Sequence, residues 1–270
     1  MRYELAINTF PYLWRGDVES ALDDLLARGY RHFEIQLSAP YCWPPSLDPG
    51  VRRRIGARIA RGDFAISSLN VGGFDNNLAS PAPDVRARTV ELIAATAALG
   101  SEWGVRGLVL SPGAARPLLP PPEPLLHGWL RDSLERLLPE AERHGVDLLL
   151  ENIPYSFLPR ADGIGSLLDA VAHPRLGAIY DVANAFYVRE PLAQGFERLR
   201  SHLRLVHFSD TTLDVWRHDR LGAGIVPFDQ ALSSMRAVGY AGAIVLEIIS
   251  DNFGDAIDDS VRAMARLDPA

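Results

Sequence analysis

Eight apolar runs alternate with segments of helical periodicity along the whole chain. The runs are YELAINTF (3–10), HFEIQLS (32–38), FAISSLN (64–70), VRGLVLS (105–111), DLLLENI (147–153), LGAIYDV (176–182), LRLVHFS (203–209) and GAIVLEI (242–248). Between the first two, DVESALDDLLARG repeats apolar residues at Val18, Leu22, Leu25 and Leu26 and stops at Gly29, which reads as a helix. Helices are likewise expected over 83–100, loosely over 121–145, and over 255–267. Strands that are apolar on both faces are those of a parallel sheet, whose crossovers are helices. Eight such units in a chain of 270 residues predict an α/β fold, a (β/α)8 TIM barrel formed as one domain over 1–270. A doubly wound open sheet is the alternative. The proline-rich run ARPLLPPPEPLLHG (115–128) reads as a loop or surface arm before the fourth helix.

The formal net charge of -7, from 34 acidic and 27 basic residues, gives no footprint for nucleic acid or an anionic membrane. Cys42 is the only cysteine, so neither an internal disulfide nor a multi-cysteine metal site is available. MRYELAINTF enters a strand-like run directly, without a signal region, and no run reaches the roughly 18 apolar residues of a membrane span. A cytoplasmic protein without membrane or nucleic-acid partners is expected.

A barrel carries its chemistry at the carboxyl ends of its strands. Glu34 and Gln36 lie in the second strand, Asn70 ends the third and Glu151 the fifth; Asp181 ends the sixth, His207 sits late in the seventh and Glu247 ends the eighth. Alternation along a strand aligns Leu149 with Glu151, Ile179 with Asp181, Leu205 with His207 and Val245 with Glu247. Each polar group then tops an inward apolar column. Three carboxylates beside one imidazole would raise one another's pKa values, and a divalent cation removes that repulsion. Oxygen-rich ligation with one histidine suits Mn, Mg, Co or Zn. The competing explanation is that Glu151 and Asp181 cap neighbouring helices or pair with arginines.

LLLENIP (148–154), IYDVANA (179–185), LVHFSDT (205–211), RHDRLGAGIVPF (217–228) and IVLEI (244–248) resemble the sugar phosphate isomerase/epimerase superfamily, xylose-isomerase-like TIM barrels related to endonuclease IV. The resemblance implies one divalent metal held by Glu151, Asp181, His207 and Glu247, with Glu151 and Glu247 as the acid/base pair. It implies a metal-dependent isomerase or epimerase that acts on a sugar, keto-polyol or related hydroxy-carbonyl compound by enediolate proton transfer. A dehydratase of a polyol ketone or keto-acid uses the same geometry. A noncatalytic barrel subunit would be expected to have lost ligands, and a DNA-repair enzyme of the endonuclease IV type would need more of them.

The departures from that pattern are informative. Asn184 stands where endonuclease IV-like chains have a metal-binding histidine, the histidine-proline-glycine turn reads Ser111-Pro-Gly, and the third strand ends in Asn70. His218 matches a third-site ligand, but its aspartate companion is replaced by Trp216. The trinuclear site is therefore lost, and His218 is either a substrate contact or a surface histidine. Asn184 is left as a substrate contact that cannot change charge near neutral pH. Arg217, with Arg220 close behind, is the candidate partner of a substrate oxyanion. Tyr41 and Trp43 are expected to wall the C–H face of a polyol, together with Phe10, Tyr12 and Trp14 of the first loop. Gly222 and Gly224 are expected to shape a backbone wall near an anion. No organic cofactor is expected, because the glycines do not form a nucleotide-binding fingerprint. Exposed aromatic loops serve a substrate or a second copy equally well, which leaves a homo-oligomer open.

Overall fold

A computed structural model describes residues 1–73 and 75–269. Its eight strands are β1 (Leu5–Asn8), β2 (His32–Gln36), β3 (Ala65–Asn70), β4 (Gly107–Leu110), β5 (Asp147–Glu151), β6 (Leu176–Asp181), β7 (Leu203–Phe208) and β8 (Ile244–Leu246). They pair in parallel and in chain order, and β1 closes on β8 through Leu5–Ile244, Ala6–Val245 and Ile7–Leu246. That closure excludes the open doubly wound sheet. The helices are α1 (Val18–Ala27), α2 (Pro49–Ala60), α3 (Pro83–Trp103), α4 (Glu123–His144), α5 (Ala161–Val171), α6 (Val182–Tyr187), α7 (Leu192–Leu199), α8 (Phe228–Ala237) and α9 (Phe253–Leu267).

The alternation of side chains divides the core in two. Ala6, Val109, Leu149, Ile179, Leu205 and Val245 point into the barrel and form a separate apolar plug. Leu148, Leu150, Tyr180, Val206, Ile244 and Leu246 join the larger core between the strands and the helices. This accounts for the three consecutive leucines of β5: all are buried, Leu149 inward and its neighbours outward, each contributing about 1.5–3 kcal/mol. Helix α7 approaches β6 at Gly195, where an added methyl would overlap the Tyr180 hydroxyl.

Two expectations need correction. The proline-rich run is not a loop to its end, because α4 begins at Glu123 and Pro124 occupies its first turn, where a missing N–H costs no helical hydrogen bond. Strand β8 ends at Leu246, and Glu247 follows it, although its backbone N–H still donates to Phe208 O at 3.1 Å. No helix among the described residues is long and apolar enough to cross a membrane.

Candidate metal centre and the cavity above it

One layer above the apolar plug, Glu151, Asp181, His207 and Glu247 converge, each offering an atom within 4.8 Å of the others. Residues Asp181 and His207 are register partners on β6 and β7, which sets them at one height. From His207 Nδ1 it is 3.5 Å to Glu247 Oε2, 3.9 Å to Asp181 Oδ2 and 3.9 Å to Glu151 Oε1.

Surrounding residues fix each group from behind. Glu34 on β2 holds His207 Nε2, at 3.0 Å from Oε1 and 3.2 Å from Oε2, and is itself held by Asn8 Nδ2 (2.6 Å) and Ser68 Oγ (2.5 Å). Asp181 accepts the Asn184 backbone N–H on Oδ1 at 2.7 Å, capping α6. Asn152 ties β5 to β6 by exchanging two hydrogen bonds with the Asp181 backbone. Glu247 Oε1 accepts from Asn8 Nδ2 (3.2 Å) and Asn70 Nδ2 (3.4 Å). Glu151 Oε1 accepts from Asn184 Nδ2 (3.2 Å), and Asn184 Oδ1 accepts from Trp216 Nε1 (2.7 Å). The indole only donates, so this last bond sets which end of the amide faces Glu151.

Within the four-residue cluster, the buried Asp181 Oδ2 and His207 Nδ1 have no hydrogen-bond partner, and they face each other. Leaving such atoms unsatisfied is costly, and a divalent cation would satisfy both together with the two glutamates. The donor set therefore fits a single divalent ion. Helix capping by Asp181 and metal ligation turn out to be compatible, since each uses a different oxygen.

The electrostatics point the same way. Burial, reinforced by the Glu247 charge, holds the Glu151 carboxyl well above the usual range. Burial also raises Asp181, against the pull of His218. Burial would raise Glu247 too, but His218 and His207 outweigh it and hold that carboxyl low. For His207, burial opposes protonation, yet Glu34 and Glu247 prevail and lift its pKa well above the usual value. His218 follows the same balance and is raised to about 9 by Glu247, Asp181 and Glu151.

A cavity of about 610 Å³ opens above these groups. It is lined by Glu151, Asn184, Arg217, His218 and Glu247, all anticipated from sequence. His218 is not a surface histidine: its side chain is only 10% exposed, and Nδ1 lies 3.0 Å from Glu247 Oε2 and 3.1 Å from Ser209 Oγ. Arg217 stands at the rim, 3.8 Å from Asp219, while Arg220 turns away toward Asp259. Tyr41 and Trp43 do not line the cavity. Tyr41 is buried in the larger core and Trp43 packs against that core. Of the first-loop aromatics, Phe10 reaches the cavity, Tyr12 is buried and Trp14 is exposed. Gly222 donates instead to the buried Asp210 carboxylate at 2.8 Å, so the anion this loop wraps is its own.

A family model, xylose isomerase-like TIM barrel, matches residues 22–268. The chain belongs to that family. It is 25% identical over 238 residues to fructoselysine 3-epimerase of Escherichia coli O157:H7, covering 86% of each chain. Among solved structures it resembles a D-tagatose 3-epimerase-like protein (20% identity, TM-score 0.85, 98% and 96% covered). It also resembles the apo form of a 3-keto-D-glucoside 4-epimerase of E. coli (18% identity, TM-score 0.81, 98% and 99% covered).

Residues given no task from sequence complete the xylose isomerase-like site. Glu34 and Asn8 brace the ligands, Trp216 orients Asn184, and Gln36 lines the cavity fully buried with both amide atoms unpartnered. The available signal for Glu34 was a carboxylate between Phe33 and Ile35 in a buried strand.

Proposed function

We propose that the protein is a metal-dependent isomerase or epimerase of a sugar-like hydroxy-carbonyl compound. The observation that carries this reading is the cluster of three carboxylates and one imidazole, from which Glu151 and Glu247 both open into one cavity. The similarity to a fructoselysine 3-epimerase over most of the chain supports it. A divalent ion held by Glu151, Asp181, His207 and Glu247 would supply Lewis-acid stabilisation of the negative charge that develops on the substrate's oxygens.

Glu151 and Glu247 form the acid/base pair. A carboxylate oxygen of one takes the proton from the carbon beside the carbonyl, the C–H electron pair enters the neighbouring carbon–carbon bond, and the carbonyl oxygen becomes negative. Proton return by the other glutamate to the opposite face gives an epimer; return to the adjacent carbon, with the neighbouring hydroxyl proton passing to the former carbonyl oxygen, gives an isomer. Their surroundings differ: Asn184 donates to Glu151 Oε1, while Glu247 lies beside His218 and His207. Asn184 steadies Glu151 and faces the substrate, His218 does the same beside Glu247, and Arg217 at the rim meets a substrate oxygen.

Deuterium uptake tests the reading. Metal-loaded protein incubated with ketoses and keto-acids in deuterated water is expected to place solvent deuterium on the carbon beside the carbonyl. Glu151→Gln and Glu247→Gln, assayed with metal occupancy measured in parallel, should each slow exchange by about 10²-fold or more. Full rate in metal-loaded Glu247→Gln would overturn the acid/base assignment. Loss of water in place of isotope uptake would make the enzyme a dehydratase.

A further inference from the structure

The cavity has two chemically different ends. At its inner end stand the ligand cluster and Gln36, whose buried amide has neither its donor nor its acceptor matched. Such an amide marks where hydroxyl or carbonyl groups of a ligand belong. From there an aromatic wall runs outward: His218 lies 5.7 Å from Trp216, Trp216 lies 5.3 Å from Tyr155 edge to face, and Tyr155 reaches Tyr187 through a 3.2 Å contact between hydroxyls. Ile153 and Ile249 line the same outer part. Tyr155 is 59% exposed even though its ring forms part of this wall.

The outer part does not suit a phosphate. All 27 basic residues of the chain are arginines, and Arg217 is the only one among the described residues lining the cavity. Its side chain is 59% exposed and has Asp219, another lining residue, 3.8 Å away. The backbone N–H of Gly72, which also lines the cavity, is already given to Asn70 Oδ1 at 2.8 Å. A dianion here would lack a bidentate clamp and would sit beside the Asp219 carboxylate. The cavity volume, about 610 Å³, is in the range that takes ligands of drug size, with room for more than a bare hexose.

We propose that the substrate is a keto sugar bearing an uncharged aromatic or apolar substituent, its polyol end beside Gln36 and the ligand cluster and its substituent against Tyr155, Trp216 and Ile249. This rests on the epimerase or isomerase reading for the chemistry, but binding tests it separately. The test uses calorimetry on metal-loaded protein with four probes that share one 3-ketohexose: the free sugar, its phenyl glycoside, its 6-O-benzyl ether and its 6-phosphate. At least one aromatic probe should bind about tenfold tighter than the free sugar, as burial of a ring predicts, and the phosphate should gain nothing. Tyr155→Ala should bring the ratio between the aromatic probe and the free sugar close to unity. Two aromatic probes no tighter than the free sugar, or a phosphate that binds tightest, would overturn the proposal. The two readings fail differently. Tight aromatic binding without deuterium exchange in any probe supports the substrate class and removes the proton-transfer chemistry. Exchange in every probe without an aromatic preference does the reverse.

Discussion

His207 has two ring nitrogens with separate tasks. Nε2 is held by the fully buried Glu34, and Nδ1 is left facing three carboxylates. A carboxylate behind a ligating imidazole fixes its tautomer and orientation, and losing that support usually weakens metal affinity by about 10–100-fold. Glu34→Gln should do the same here while leaving circular dichroism unchanged; calorimetric titration of the divalent ion measures it, and parental affinity would show that Glu34 does not position the ring. The same groups set a pH dependence. Without a cation, burial raises the Glu151 pKa, and Glu34 and Glu247 raise that of His207 against burial, so both hold protons to higher pH than the free groups do. A cation must displace those protons, so its affinity should rise with pH and be lost as pH falls. Titration in buffers of different ionisation enthalpy should show net proton release on binding, and none would contradict the sign. The four ligands are legible in the sequence because period-two alternation aligns each with an inward apolar residue. Glu34 lacks that signature, since His32 stands two residues before it, and its task depends on His207, 173 residues away, which no local pattern reports. Tyr41 and Trp43 misled because an aromatic after a strand serves a cavity wall or a folded-back core loop equally well, and the loop path decides.

At the scale of the elements, the eight strands and the helices α1, α3, α4 and α9 follow from apolar periodicity, whereas close approaches do not. Helix α7 packs on β6 through Gly195, whose missing side chain leaves room for the fully buried Tyr180. The Tyr180 hydroxyl donates to Glu190 Oε2 at 3.1 Å, and Glu190 also accepts the Ala161 N–H at the start of α5 at 3.0 Å. A methyl at position 195 would push this junction apart. Gly195→Ala should destabilise the protein by about 1–3 kcal/mol in denaturant unfolding. A variant as stable as the parent would mean that α7 shifts outward freely. The sequence offers no sign of this glycine's importance, since it sits in a helix where its neighbours already satisfy the period. Helix α4 shows the converse difficulty: Pro120, Pro121 and Pro122 ahead of Glu123 read as a loop, yet Pro124 sits in the first turn, where proline is compatible with a helix.

The closed barrel brings together on one face residues from strands far apart in the chain, and the charge balance of that face couples to the stability of the whole molecule. Three buried carboxylates crowded beside imidazoles are unfavourable without a cation, and an ion that binds only the folded state stabilises it by mass action. Chelation should lower the melting temperature, and readdition of a divalent ion at about 1,000 times its dissociation constant should restore about 4 kcal/mol. A melting temperature indifferent to both would place the ion elsewhere or nowhere. The plug of Ala6, Val109, Leu149, Ile179, Leu205 and Val245 has a kinetic consequence as well. It makes the reaction chamber a cul-de-sac, with no exit through the floor. Reactant and product therefore both pass through the open side of the cavity, which Tyr155 and Trp216 line. Turnover therefore has a ceiling set by how fast that doorway clears, and accumulating product competes for it from the outset.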